Sequence, residues 1–156
     1  MISRERITAD SEQAAAGGKG NIADVECLQQ ATADRAFTNA KAAKDIDGMV
    51  GALMYRGLER NTPGPVGRAS NLCTSIKAVN PEIAAIQQHQ DPASPGAAAI
   101  NKAVALELAK QIKLVGGDPL IALKSGTFKP GDVTDATGKG NSCKFLSIED
   151  LALKGW

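Results

Sequence analysis

Aromatic residues are scarce in this chain: its 156 residues include three phenylalanines, one tyrosine and one tryptophan. Strands favour aromatic and β-branched residues in alternation, and no stretch of the sequence shows that alternation. Alanine supplies much of the hydrophobic fraction of 43%, and it favours helices because it loses no side-chain entropy there. The composition therefore predicts an all-α fold of closely packed helices.

The sequence also lacks an excess of one charge and any long apolar run. It contains 18 lysines and arginines and 17 acidic residues, which gives a formal net charge of +1. A nucleic-acid-binding protein needs a basic stripe, and the even charge equally disfavours docking on an anionic membrane. The apolar runs are only a few residues long, too short to span a bilayer. We therefore predict neither a nucleic-acid partner nor membrane insertion.

Histidine and cysteine, which supply many metal ligands, number one and three. Cys27, Cys73 and Cys143 are widely separated and match no zinc spacing, so we predict no metal and no cofactor. The cysteines fit two interpretations: three reduced thiols in a cytosolic protein, or one disulfide and one free thiol in a secreted protein. The polar N-terminus is not a signal peptide, which leaves a cytosolic protein or a mature chain behind an added leader.

Residues 1–20 are polar, end in a glycine-rich stretch and show no periodic apolar face, which predicts a flexible tail. Whether this tail is native or an added leader stays open. Residues 21–156 show no internal repeat and no second boundary. They are predicted to form a single helical domain, a compact bundle of about five to six helices.

Apolar spacing and capping residues predict where these helices lie. The first begins at Asn21, runs towards Lys44, and carries an apolar stripe that includes Ile22, Val25 and Leu28. The second begins at Asp45 and ends before the loop of residues 61–65. The third spans residues 66–79 and places Cys73 on its buried side.

Three capping residues stand directly before a proline, the expected order at a helix start: Asn80, Ser94 and Asp118. The longest helix follows Ser94, because apolar residues recur every three or four positions from Ile100 to Val115. Gly116 and Gly117 end it. Residues 125–142 predict an irregular arm rich in Gly, Thr and Asp, and a capping box at residues 147–150 predicts a last short helix.

His89 is the one residue with obvious catalytic chemistry. It fits either a general base oriented by Asp91, or a metal ligand, or an exposed residue at a helix end, and we favour the exposed residue. No serine lies in a Gly-x-Ser-x-Gly context. The glycine-rich run near Asp132 and Asp135 fits neither a calcium loop nor a phosphate loop. We therefore predict no catalytic site, with His89 and Asp91 as the weak site candidates.

Several stretches between residues 71 and 143 carry a family resemblance. They are Asn-Pro-Glu-Ile-Ala-Ala-Ile-Gln-Gln-His-Gln-Asp-Pro at 80–92, Asn-Lys-Ala-Val at 101–104, Val-Gly-Gly-Asp-Pro at 115–119, Ser-Gly-Thr-Phe at 125–128 and Gly-Lys-Gly-Asn-Ser-Cys at 138–143. This half of the chain resembles small secreted or cell-wall-associated proteins of filamentous fungi, some discussed as elicitors or effectors. The resemblance implies a secreted location and a partner in a host or the cell wall. The family has no assigned activity, so the resemblance supplies no mechanism.

In a secreted protein the expected bridge is Cys27–Cys73, joining the first and third helices, because both cysteines lie on or beside apolar stripes. Cys73–Cys143 is the alternative. Relatives in the resembling family carry a further cysteine near Cys143, and its absence leaves the partner of Cys143 open.

Three functions follow from these observations. The leading hypothesis is a non-enzymatic secreted fungal surface or effector-like protein that acts by protein or ligand interaction. The second is a helical protein that binds a small apolar ligand in a cavity lined by Met49, Leu53 and Met54. The third is a small cytosolic enzyme that uses His89 or Cys143.

Overall fold

The computed structural model describes residues 22–60, 69–125, 127 and 149. Every regular element in these residues is helical, which confirms the all-α prediction. The elements are, in chain order, a 3₁₀ helix Val25–Cys27, α1 (Leu28–Ala42), α2 (Ile46–Gly57), α3 (Pro81–Ala84), α4 (Ala97–Leu114) and a 3₁₀ helix Pro119–Lys124. The predicted tail of residues 1–20, the arm beyond residue 127 and, apart from Glu149, the last short helix lie outside the described residues.

A tight turn joins α1 to α2. The Asp45 amide donates to the Ala40 carbonyl at 2.9 Å and the Lys44 amide to the Lys41 carbonyl at 3.1 Å, the two bonds of a Schellman motif. Asp45 then caps α2, because its carboxylate accepts a hydrogen bond of 2.9 Å from the Gly48 amide. The predicted start of the second helix is therefore confirmed.

Lys44 holds the left-handed position of this turn, with φ of 55°. A left-handed backbone costs an ordinary residue about 1–2 kcal/mol, whereas glycine adopts it without steric strain. Glycine loses more chain entropy on folding, and this offsets part of the gain. Lys44→Gly is therefore expected to raise the free energy of unfolding, measured by urea denaturation, by about 0.5–1 kcal/mol. Ala43→Gly is the control, since Ala43 is right-handed with φ of −80°. A loss of stability of similar size in both variants would contradict this account of the turn.

α4 ends as the sequence predicts. Gly116 adopts φ of 90°, its amide donates to the Lys113 carbonyl, and the Gly117 amide donates to the Ile112 carbonyl. Gly117 must stay small for a different reason: a Cβ there would lie 2.6 Å from Cγ2 of Val50 in α2. The glycine pair thus ends the helix and lets the chain pass close to α2.

The start of α4 differs from the prediction by two residues. The helix begins at Ala97, after Gly96 with φ of 72°. The Ser94 hydroxyl donates instead to the Asp91 carbonyl at 2.7 Å, so Ser94 closes a turn and does not cap the helix.

The core lies between α1, α2, α4 and the chain around α3. Its large, fully buried apolar side chains are Phe37, Val50, Leu53, Ile83, Ile86, Leu108 and Ile112. From the first 3₁₀ helix into α1 the buried positions are Cys27, Gln30, Ala33 and Phe37. The buried face differs from the predicted stripe, in which Val25 is exposed and Ile22 and Leu28 are only partly buried. The 3₁₀ turn before α1 explains this, because it has three residues per turn and shifts the register of the buried face.

The predicted third helix is wrong over residues 69–79, which are not helical, and residues 66–68 lie outside the described part. Residues 69–80, called the strap below, run along α1. The Gln30 side-chain amide donates to the Ile76 carbonyl at 2.9 Å, and the Asp34 carboxylate accepts from the Val79 and Asn80 amides at 2.7 and 3.0 Å. Side chains of α1 thus bond backbone groups of the strap that would be paired within a helix. These tertiary contacts outweigh the helical preference indicated by the apolar spacing.

Candidate functional site

A disulfide joins the strap to the start of α1. Cys27 and Cys73 are bridged, with their Cα atoms 4.6 Å apart and a sequence separation of 46. The predicted Cys27–Cys73 pair is confirmed, and the alternative Cys73–Cys143 is wrong because Cys73 is already paired. The bridge connects the first helix to a strap, not to a third helix. Cys143 lies outside the described residues.

Polar contacts surround the bridge. One Asp24 carboxylate oxygen accepts a hydrogen bond of 2.6 Å from the Ser75 hydroxyl, and the other accepts one of 3.0 Å from the Glu26 amide. The bond from Ser75, followed by that from Glu26, lowers the pKa of Asp24. Ser75 Oγ also lies 3.3 Å from Cys27 Sγ, and Cys27 is completely buried. The strap therefore covers the sulfur of Cys27.

Two buried side-chain amides each form what is called an amide bracket below, a pair of hydrogen bonds to the backbone amide and carbonyl of one residue. Asn101 of α4 accepts from the Gln90 amide at 2.8 Å and donates to the Gln90 carbonyl at 3.0 Å. The Gln90 side chain in turn accepts from the Ser70 amide at 2.6 Å and donates to the Ser70 carbonyl at 3.2 Å. Each amide supplies one donor and one acceptor, which matches a peptide group. The strap is thus connected to α4 through residues 86–91, called the linker segment below.

Arg56 lies at the centre of a second polar group. It is 4% exposed, and its terminal nitrogens donate to the side-chain carbonyls of Gln88 at 3.2 Å and Gln30 at 3.3 Å. Burial, with a smaller contribution from the charge of Arg60, lowers its pKa to about 10, so the guanidinium remains a cation at neutral pH. Gln88 then donates to the Asn71 carbonyl of the strap at 2.9 Å. Arg56 therefore orients two amides towards the strap.

His89 is fully buried, so the interpretation of His89 as an exposed residue is wrong. Its backbone amide donates to the Gly57 carbonyl at 2.9 Å, and ring atom Nδ1 contacts the same oxygen. The linker segment turns inward after α3 and packs on the end of α2, which encloses the ring. Burial lowers the pKa of His89 more than the hydrogen bond to Gly57 raises it.

The structure does not pair Asp91 with the imidazole of His89. The ring's hydrogen-bond partner is the Gly57 carbonyl, while an Asp91 carboxylate oxygen accepts from the Ala93 amide at 2.9 Å. Asp91 is half-buried in the turn that leads to α4. The geometry thus makes His89 a packing and hydrogen-bonding residue and Asp91 a turn residue.

The side chains proposed to line a cavity contribute to the core. Leu53 is completely buried, and Met49 and Met54 are partly buried and packed against the same cluster. Unbranched methionine commonly fills irregular gaps in cores. Their observed contacts are those of packing residues.

Large apolar side chains are exposed along the strap. Leu72, Ile76 and Val79, called the strap surface below, are 42%, 36% and 83% exposed. An exposed apolar side chain by itself is ordinary, but three on one short segment form a candidate interaction surface.

The sequence analysis missed the buried polar residues that hold the strap. Their signal was present: Gln30, Arg56 and Asn101 each fall on the apolar face of a helix, where a polar residue needs a partner. Asn101, for example, lies three positions before the buried Val104. Such a residue indicates a hydrogen-bonded contact with another segment, although the sequence does not say which.

Within residues 22–60 and 69–125, no helix is both long and apolar enough to cross a membrane. In comparisons of the whole chain, no protein-family model, no curated protein and no solved structure matches it.

Proposed function

We propose that this chain is an extracellular, non-enzymatic protein that acts through its surface on a protein or cell-wall partner. The Cys27–Cys73 bridge carries the proposal, because disulfides form and persist in oxidising compartments and are rare in the cytosol. The resemblance to secreted fungal proteins supports the same location. A filamentous fungus is the proposed source on that resemblance.

The surroundings of the bridge support a structural role for it. Reactive or regulatory disulfides are exposed or strained, whereas Cys27 is completely buried and Cys73 half-buried. The strap leaves three large apolar side chains exposed and is held largely by hydrogen bonds, to which the covalent bridge adds.

The environment of His89 favours interaction over catalysis at this residue. A general base must lie within hydrogen-bond reach of a substrate proton, directly or through one water molecule. The ring of His89 is instead enclosed, with its Nδ1 atom on a backbone carbonyl. The strap surface supports the interaction instead, since its large apolar side chains are exposed to a partner.

Fractionation of the producing cells tests the proposal. An antiserum against the purified chain is used to probe culture medium, cell-wall extract and cell lysate, with free thiols alkylated at harvest. We expect the protein in the medium or wall fraction, with one alkylated cysteine. A protein confined to the lysate with three alkylated cysteines would overturn the proposal.

A further inference from the structure

The linker segment contacts α2 at Gln88, which accepts from Arg56, and at His89, which bonds the Gly57 carbonyl. The Gly57 carbonyl accepts from both the backbone amide and the Nδ1 atom of His89. Because Nδ1 must carry a proton to donate there, the neutral ring has its lone pair on Nε2. Nε2 is buried and has no hydrogen-bond partner among the described residues.

Protonation of this ring changes what the pocket must hold. A proton from solvent added to Nε2 creates a buried N–H donor with no acceptor among the described residues, and it places a positive charge on a fully buried ring. Burying such a group is unfavourable, whereas a ring exposed to water takes up the proton freely. Acid therefore favours any state in which the ring leaves the core.

The charged residues next in the chain to the contacting positions are Arg56, Glu59, Arg60, Lys102 and Asp91. The shift in the pKa of His89 comes first from burial and second from the hydrogen bond to the Gly57 carbonyl, and not from a charged side chain. The strap residues in contact with the linker segment, Ser70 and Asn71, are neutral. The ring's partner is a backbone carbonyl, so the contact itself contains no carboxylate that would hold the charged form.

The connections of the linker segment show what such a movement would release. Gln88 donates to the Asn71 carbonyl, and the Gln90 side chain brackets Ser70. The far end of the strap has separate attachments, since Cys73 is bridged to Cys27 and Asp34 holds the Val79 and Asn80 amides. Release of the linker segment would therefore break its bonds to Ser70 and Asn71, while Asn71 keeps its bond from Arg60 and the far end of the strap keeps its own attachments.

We infer that His89 is an acid-sensitive latch: its protonation releases the linker segment from α2 and breaks the hydrogen bonds that this segment makes to Ser70 and Asn71, while the bridge keeps the strap in place. The inference rests on the fold and not on the proposed extracellular function. His89 is also the only histidine in the chain, so it is the one side chain whose ordinary pKa lies between pH 5 and 8.

Hydrogen exchange of the full, oxidised chain tests the latch. Below the ordinary histidine pKa of about 6.5, the open form binds a proton that the closed form excludes, so protection falls up to tenfold per pH unit. Between pH 7 and pH 5 we expect the protection factors of the Ser70, His89 and Gln90 amides to fall by up to about 20-fold. The amides of Val79, Asn80 and Leu108 should keep their protection.

His89→Asn is the matched control, because its side-chain amide can donate to Gly57 but takes up no proton. Its Ser70 and Gln90 amides are expected to show the same protection at both pH values. An equal pH response in His89→Asn, or a parallel loss at Leu108 that indicates global unfolding, would overturn the inference. An NMR titration of the wild-type ring decides the matter even if the variant does not fold. The inference would also be overturned if the His89 ring titrated at or above pH 6.5 while the Ser70 amide stayed protected from exchange.

Discussion

Removal of the disulfide in the double variant Cys27→Ala/Cys73→Ala is expected to lower the free energy of unfolding by about 4 kcal/mol. The bridge closes a loop of 46 positions, and in the chain-entropy model a loop of that length restricts the unfolded chain by roughly this amount. Urea denaturation monitored by circular dichroism measures the change. A loss of this size is a large part of the 5–15 kcal/mol that stabilises a typical domain.

Cys143→Ser is the control for that experiment, because it removes a cysteine and leaves the Cys27–Cys73 pair intact. We also expect the strap amides of Val79 and Asn80 to exchange faster in the double variant, since their attachment to Asp34 then lacks its covalent neighbour. A double variant as stable as the Cys143→Ser protein would show that the bridge does not stabilise this fold.

The second large effect is expected at Asn101, whose side chain is completely buried in α4. Asn101→Ala leaves both the amide and the carbonyl of Gln90 without their partners. Each buried, unpaired polar group costs about 1–3 kcal/mol, so the expected loss in free energy of unfolding is about 2–4 kcal/mol. Thermal or urea denaturation of the oxidised protein gives the value.

Lys110→Ala provides a comparison on the same helix. Lys110 is exposed and lies 3.4 Å from a Glu107 carboxylate oxygen, and surface pairs of this kind contribute about 0.5 kcal/mol or less. If Asn101→Ala destabilised the protein no more than Lys110→Ala, the amide brackets would not be what connects the strap to α4.

The helices that could be predicted from the sequence are those whose ends depend on local chemistry. Asp45 caps α2 by accepting from Gly48, three residues away, and Gly116 ends α4 because its left-handed backbone closes a local motif. The Cys27–Cys73 pair was also predicted, because only three cysteines are available, although the helical stripes on which the prediction placed them are not those of the structure. For the helix ends the determining contact lies within a few residues. For the disulfide, three cysteines allow only three pairings.

The strap and the environment of His89 depend on distant contacts, and the sequence analysis failed there. Residues 69–79 have helical apolar spacing, yet their backbone groups are bonded by Gln30 and Asp34 of α1 and by Gln90. His89 is enclosed because the linker segment packs on the end of α2, 32 positions earlier in the chain. Propensity and spacing describe local preferences, which such tertiary hydrogen bonds override.

Peptide mapping of the protein purified from its producing cells, alkylated before any reduction, tests the central claim most directly. The account predicts a disulfide-linked peptide pair that contains Cys27 and Cys73, together with a peptide in which Cys143 carries the alkyl group. Three alkylated cysteines, or a linked pair that includes Cys143, would contradict the Cys27–Cys73 bridge between the strap and the start of α1. Either result would also contradict the extracellular function proposed from that bridge.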